Sequence, residues 1–93
     1  MENKVSVVIP AYNVASYIIK CIESVIDDPF VEEVIVVDDG SIDDTVSNVK
    51  TIYGNNSKVV LLQHENQLNK DACSSRNLGL RNAESGWVQF LDA

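Results

Sequence analysis

Four short apolar runs, separated by segments with helical spacing, constrain the fold of this chain more than any other feature. The runs cover residues 5–9, 34–37, 59–62 and 87–91. Short runs rich in β-branched residues and nearly continuous in apolar character are typical of strands buried on both faces of a parallel sheet. The order βαβαβαβ therefore predicts an α/β fold, with about four parallel strands, flanking helices and right-handed crossovers.

The segments between these runs predict three helices. Apolar residues recur in the first segment at steps of three and four, at Ile18, Ile22, Val25 and Ile26. This spacing gives one apolar stripe and predicts a helix over residues 14–27. A second helix is predicted over residues 43–53, capped by Ser41 and Asp44, and a third over residues 71–83. The second helix is expected to bury Val46, Val49, Ile52 and Tyr53.

Size and charge limit what the chain can be. With 93 residues it is expected to form one compact unit, residues 1–93, with one modest core. Its net charge of -7 argues against a nucleic-acid partner or an anionic membrane surface, because both are bound through clustered Lys and Arg. Apolar and charged residues make up 45% and 23% of the chain, which predicts a folded rather than a disordered protein.

The cysteines and the first residues bear on location. Cys21 and Cys73 lack any CxxC spacing and are interpreted as structural thiols. The N-terminal residues do not resemble a signal peptide, and no apolar stretch approaches the ~18 residues of a membrane span. A cytoplasmic, reducing location is the expectation.

Aromatic and acidic residues follow directly after three of the predicted strands. In open α/β sheets, ligands bind beyond the carboxyl ends of the strands, so residues at these positions are the candidates for a site. They are Pro10, Ala11 and Tyr12 after the first run, Asp38 and Asp39 after the second, and Asp92 after the fourth. These side chains are expected to converge on one edge of the sheet.

Such an edge has the chemistry to hold a nucleobase and a diphosphate. Tyr12 offers a ring for stacking, worth about 1–3 kcal/mol per base. An ionised carboxylate at Asp38 or Asp39 accepts the N3–H of uracil but would face a lone pair on cytosine. Asp92 can hold a hard cation, which would offset the repulsion between this acidic chain and a diphosphate. The alternatives are that Tyr12 merely packs and that the two aspartates belong to a solvated turn.

Two other residues bear on this edge. Arg76, on the third predicted helix, is a candidate contact for a phosphate or a base. His64 is the only histidine and has no second ligand nearby in sequence, so a surface or loop role is expected for it. The chain lacks GxGxxG after its first run, which disfavours a dinucleotide-binding domain, and lacks GxxxxGK[ST], which excludes a P-loop NTPase.

Four segments together resemble the family 2 glycosyltransferases, which have the GT-A fold. They are residues 5–13 (VSVVIPAYN), 36–41 (VVDDGS), 75–80 (SRNLGL) and 86–93 (GWVQFLDA). The resemblance implies the Rossmann-like, nucleotide-binding N-terminal part of such an enzyme. The family transfers a sugar from a nucleotide-diphospho-sugar, here a UDP-sugar by preference, to an acceptor such as a polysaccharide or lipid.

The resemblance also implies roles for individual residues. The segment lining the base corresponds to Pro10, Ala11 and Tyr12. Asp39 matches the residue that bonds uracil, with Asp38 as its neighbour. Asp92 matches the first aspartate of the Asp-x-Asp motif, which contacts the ribose and the Mn²⁺ or Mg²⁺ that bridges the diphosphate.

The chain departs from the family pattern in two places. The second aspartate of Asp-x-Asp is missing after Ala93, as are the downstream catalytic base and acceptor pocket. A truncated piece without catalytic residues is therefore expected, inactive alone and with weak or absent metal binding. The loop at residues 67–71 lacks the usual glycine, so no role is carried over to Lys70 or Asp71.

Two other classes of protein remain as alternatives. A signalling receiver domain also places acidic residues around Mg²⁺ at strand ends, but needs its acidic pair after the first strand. A non-catalytic interaction module is suggested by the sheet edge at residues 88–91, which has the character of a strand that recruits another strand. That edge predicts dimers or aggregation.

Overall fold

The computed structural model describes residues 4–64 and 72–93, in which strands and helices alternate. The strands are β1 (Val5–Ala11), β2 (Val31–Asp38), β3 (Val59–Gln63) and β4 (Trp87–Phe90). The helices are α1 (Ile18–Ile26), α2 (Thr45–Tyr53) and α3 (Ala72–Asn82). All neighbouring strands pair in parallel, in the order β3-β2-β1-β4. The predicted α/β fold with a four-stranded parallel sheet is confirmed.

Strand β1 continues through Pro10 to Ala11, two residues beyond its predicted end. The carbonyl of Val8 accepts a hydrogen bond from Leu91 N at 3.0 Å, so the peptide groups of Val8 face β4. Pro10 lies two residues further on and faces the same way, past the last β1–β4 pair at Val8 and Phe90. The missing N–H of proline therefore costs no bond of the sheet, and Pro10 does not end the strand.

The helices cover both faces of the sheet. Helices α1 and α2 pack on one face, called here the α1/α2 face, and α3 packs on the other, the α3 face. The α1/α2 face buries Val7, Ile9, Val34 and Val36 against Ile18, Ile22 and Val49. The α3 face buries Val8, Ile35 and Val37, with Leu78 and Ala83 packed against them. Alternate residues of the central strands thus supply both cores.

Two helices begin later than predicted. Helix α1 begins at Ile18 rather than residue 14, because the peptide N–H groups at 13–15 bond to the side chains of Ser41, Asp43 and Thr45. Helix α2 begins at Thr45, and the predicted cap at Ser41 is wrong: the Asp43 carboxylate accepts from Thr45 N at 3.0 Å. Ile52 is 56% exposed, so its predicted burial is also wrong. The predicted start of α3, at Asp71, lies outside the described residues.

Helix α3 approaches the sheet closely at one glycine. A Cβ placed on Gly79 would lie 2.4 Å from Val8 Cγ1 and 3.3 Å from Val37 Cγ2. Real carbon atoms do not come that close, so only glycine fits here without a shift of the helix. Gly79 therefore sets the distance between α3 and the sheet.

Candidate functional site

The carboxyl ends of β1 and β2 lie side by side, and two of the predicted site residues follow directly from them. Ala11 and Asp38 are the last paired residues of the two strands. The next residue of β2's chain, Asp39, donates its backbone N–H to Ala11 O at 2.8 Å. Tyr12 follows Ala11 and is 49% exposed. Tyr12 and Asp39 are therefore brought together at one edge of the sheet, although 27 positions separate them in sequence.

Asp38 holds the turn after β2. Its side chain is 1% exposed, and Oδ2 accepts hydrogen bonds from Gly40 N at 3.2 Å and Ser41 N at 3.0 Å. Gly40 has a φ of 81°, in the left-handed region that glycine adopts without strain. Oδ1 of Asp38 has no hydrogen-bond partner among the described residues. The first aspartate of the pair therefore shapes the backbone on which the second is carried.

Asp39 belongs to a polar cluster on the α3 face. Its Oδ1 lies 3.6 Å from His64 Nε2, and both side chains are 9% exposed. The same nitrogen of His64 is 2.9 Å from Oγ of Ser75, a fully buried residue of α3. His64 lies in the loop after β3, as predicted, but its ring packs against Asp39 and Ser75, which the sequence did not predict. A signal was present, because His64 follows Leu62 by two residues and strand alternation turns both toward α3.

The loops after β1 and β2 are joined by side-chain hydrogen bonds. Asn13 N donates to Ser41 Oγ at 2.8 Å, and Asn13 Oδ1 accepts from Ile42 N at 2.9 Å. Two further bonds run the same way, from Val14 N to Thr45 Oγ1 at 2.9 Å and from Ala15 N to Asp43 Oδ2 at 3.1 Å. The backbone that carries Tyr12 is thus tied to the loop that follows Asp39.

The carboxylate of Asp43 is itself held by Thr45. Hydrogen bonds from the Thr45 hydroxyl, and from the backbone N–H groups of Thr45 and Ala15, keep the pKa of Asp43 below its ordinary value of 3.8. A carboxylate that accepts several hydrogen bonds is stabilised in its ionised form. Asp43 is therefore a negatively charged junction between the two loops at neutral pH.

The remaining predicted residues lie on neighbouring elements. Asp92 is exposed and follows β4, the strand next to β1; its carbonyl accepts a weak hydrogen bond from Cys21 Sγ at 3.7 Å. Partial burial, and secondarily the charge of Asp92, raise the pKa of the Cys21 thiol. Arg76 is exposed on α3, next to Ser75. The side chain of Ala11 is buried in the core of the α1/α2 face, so Ala11 presents only its backbone to the edge.

The described residues do not build a metal site. Across residues 4–64 and 72–93, no group of three or more His, Cys, Asp or Glu side chains is placed to hold a metal ion. Asp92 alone offers one carboxylate, whereas Mg²⁺ and similar cations need a fuller set of oxygen ligands. Within the same residues, no helix has the length and apolar character to cross a membrane.

A cavity in the described part of the chain lies away from this edge. It has a volume of about 230 Å³ and is formed between α2 and β3, with Tyr53, Leu61 and Gln63 among its lining residues. None of the predicted site residues lines it.

Sequence comparisons match this chain to glycosyltransferases. The family model for "Glycosyl transferase family 2" matches residues 6–93. Chondroitin synthase of Escherichia coli is 36% identical over 90 residues, which are 96% of this chain and 13% of that protein. Glycosyltransferase GlyA of Streptococcus pneumoniae is 31% identical over 94 residues, covering 100% of this chain and 13% of that protein.

Solved structures show the same fold. The structure of S. aureus TarS 1-349 in complex with UDP superposes with a TM-score of 0.81 at 35% identity, covering 96% of this chain and 27% of that one. The mannosyltransferase PcManGT of Pyrobaculum calidifontis, in complex with GDP-Man and Mn²⁺, gives a TM-score of 0.85 at 25% identity, covering 99% and 28%. The chain spans less than a third of each of these proteins. With its fold and its sequence both matched over nearly their whole extent, the chain belongs to glycosyl transferase family 2.

Proposed function

We propose that this chain is the donor-binding part of a glycosyltransferase that uses a nucleotide-diphospho-sugar, with UDP-sugars preferred. The observation that carries the proposal is the adjacency of Tyr12 and Asp39 at the ends of two paired parallel strands. The transfer reaction, to an acceptor such as a polysaccharide or lipid, is proposed for a protein of which this segment is one part. The segment alone is proposed to bind the nucleotide without catalysing transfer.

Each group at the edge has a proposed task that fits its chemistry. The exposed ring of Tyr12 stacks on the base, and Pro10 and Ala11 line the base from the end of β1. The Asp39 carboxylate accepts the N3–H of uracil, and Asp38 holds the turn that carries Asp39. The 35% identity to S. aureus TarS, whose structure contains UDP, supports uridine as the base.

Arg76 and Asp92 have proposed roles further from the base. Arg76 is proposed to contact a phosphate, and Asp92 the ribose. The mannosyltransferase PcManGT has been solved with Mn²⁺, and a divalent ion is proposed for the complete enzyme, where it would neutralise the diphosphate. Asp92 would be its contact from this chain, and a single carboxylate predicts weak metal binding here.

Titration of the chain with UDP, followed by NMR, tests the proposal. UDP is expected to perturb the signals of Tyr12 and Asp39, with little enhancement by Mn²⁺. Tyr12→Ala removes a stacking contact worth about 1–3 kcal/mol, so it should weaken binding by roughly five- to 150-fold, whereas Tyr12→Phe keeps the ring and should bind nearly as well. No perturbation at millimolar UDP would refute nucleotide binding by this chain.

The choice of base has its own test. Asp39→Asn replaces a carboxylate, which only accepts hydrogen bonds, by an amide that also donates them. It should therefore lower the affinity for UDP and reduce the preference for UDP over CDP. GDP is the third ligand to compare, because PcManGT was solved with GDP-Man. Equal affinity for UDP and CDP in the unmodified chain would show that Asp39 does not read the base.

Two further expectations stay predictions. Strand β4 is at the edge of the described sheet, and Trp87 and Phe90 on it are 63% and 40% exposed. Self-association through this edge would appear as a concentration-dependent mass in light scattering. A cytoplasmic location likewise stays a prediction, with Cys21 and Cys73 as free thiols.

A further inference from the structure

Beyond the last paired residues of β1 and β2, side-chain hydrogen bonds join the two segments that follow these strands. The bond from Asp39 N to Ala11 O, at 2.8 Å, continues the backbone ladder one step past the strands. The next bonds across the gap involve Asn13, whose N–H donates to Ser41 Oγ at 2.8 Å. Its Oδ1 accepts from Ile42 N at 2.9 Å and from Asp43 N at 3.4 Å. These contacts, between Asn13 and residues 41–43, are called the Asn13 clamp.

The backbone of Asn13 is as specific as its side chain. Its φ of 51° lies in the left-handed region, where no other described residue except Gly40 is found. Asparagine and aspartate adopt this conformation more readily than other residues with a side chain. Glycine would adopt it too, but has no oxygen to receive the Ile42 and Asp43 amides. Position 13 therefore calls for a left-handed backbone and a short side-chain acceptor together.

The Asn13 clamp and the bond between Ala11 and Asp39 fix the backbone on the two sides of Tyr12. On one side, Ala11 O is fixed by Asp39 N; on the other, Asn13 is fixed by Ser41 and Ile42. The Tyr12 ring is half exposed in spite of this anchoring of its backbone. An aromatic ring held ready on a fixed backbone loses less conformational freedom when it stacks on a ligand.

We infer that Asn13 is a positioning residue for nucleotide recognition, acting through Tyr12 and Asp39 rather than by touching the ligand. The inference rests on the proposed function. Removal of the clamp should leave the fold standing, because Val14 N to Thr45 Oγ1 and Ala15 N to Asp43 Oδ2 still join the two loops. Loss of the clamp therefore lowers affinity by letting Tyr12 and Asp39 move relative to one another.

Three substitutions separate the two properties of Asn13. Asn13→Asp keeps the acceptor and tolerates the left-handed backbone, so UDP affinity should stay within about twofold. Asn13→Gly keeps the left-handed backbone conformation but removes the side-chain acceptor, and should lower the affinity for UDP by about tenfold. Asn13→Ala removes both, and should weaken UDP at least as much while also lowering the unfolding midpoint. Hydrogen exchange of the Ile42 and Asp43 amides reports on the clamp directly.

A second asparagine provides the matched control. Asn48 Nδ2, on α2, donates to Ala15 O at 3.4 Å and so joins the segment after β1 to α2, further along the chain from Tyr12. Asn48→Ala should leave UDP affinity unchanged. The inference is overturned if the unmodified chain binds UDP and Asn13→Gly binds it equally well while the Ile42 and Asp43 amides exchange faster. It is also overturned if Asn48→Ala weakens UDP as much as Asn13→Gly. Absence of UDP binding by the unmodified chain would instead overturn the proposed function, and the positioning role with it.

Discussion

The two faces of the sheet differ in how much apolar surface they bury and in what else they hold. The α1/α2 face contains a cluster of nine buried apolar residues, whereas the cluster on the α3 face has three. Helix α3 contributes a buried serine, Ser75, and places it beside His64 and Asp39. The α1/α2 face is thus mainly apolar core, whereas the α3 face combines a smaller apolar cluster with polar groups of the candidate site.

The adjacent aspartates show the same division. Strand alternation directs Asp38 toward the α1/α2 face, where its carboxylate closes a turn through Gly40 N and Ser41 N. Asp39 lies toward the α3 face, 3.6 Å from His64. Two adjacent aspartates therefore have different roles, because strand alternation places their side chains on opposite faces of the sheet.

The largest effect is expected from removing apolar volume on the α1/α2 face. Ile22 is fully buried there, and Ile22→Ala should lower the free energy of unfolding by about 3 kcal/mol, from lost burial and the cavity left behind. Leu78→Ala is the counterpart on the α3 face, where Leu78 is only partly buried, and should cost about half as much. Urea unfolding measures both. A larger loss for Leu78→Ala would contradict the comparison.

A smaller loss is expected from adding one methyl group to α3. Gly79→Ala would bring Cβ within 2.4 Å of Val8 Cγ1, and the resulting shift should cost about 1–2 kcal/mol after the gain in helix propensity is included. Gly86→Ala is the control, because nothing lies within 4 Å of its Cβ position, and should change stability by less than about 0.5 kcal/mol. Thermal unfolding of the pair distinguishes close packing from a general intolerance of side chains at glycine positions.

The smallest effect is expected from acid, at the junction between the loops. The pKa of Asp43 is lowered by its hydrogen bonds with Thr45, so its ionised form is favoured in the folded chain. The stabilisation is present above the ordinary value of 3.8 and is lost as pH falls through the lower folded value. The Ala15 and Thr45 amides should therefore lose protection selectively below pH 3.8, and Asp43→Asn should remove this pH dependence. Asp44→Asn should leave it in place. Equal acid sensitivity in Asp43→Asn would refute the role of this carboxylate.

The sequence was sufficient for the sheet and its connections, because each strand is a local apolar run. Four runs, and the aspartates and tyrosine directly behind them, predicted the candidate edge without any contact being known. The start of α1 was missed, and Ser41 was wrongly predicted to cap α2, because the N–H groups of Asn13 and Val14 bond to Ser41 and Thr45 across 28 and 31 positions. His64 was missed because its partners, Asp39 and Ser75, come from two other elements.

Gly79 has no side chain, yet it affects the position of a polar group near the candidate site. Ser75 lies one helical turn earlier, on the same side of α3, so the depth at which Gly79 seats the helix also fixes how far the Ser75 hydroxyl reaches toward His64. A methyl group at position 79 would lift that hydroxyl away from the imidazole beside Asp39. Gly79 therefore helps to set the distance between the Ser75 hydroxyl and the His64 imidazole, although it takes no part in that hydrogen bond itself.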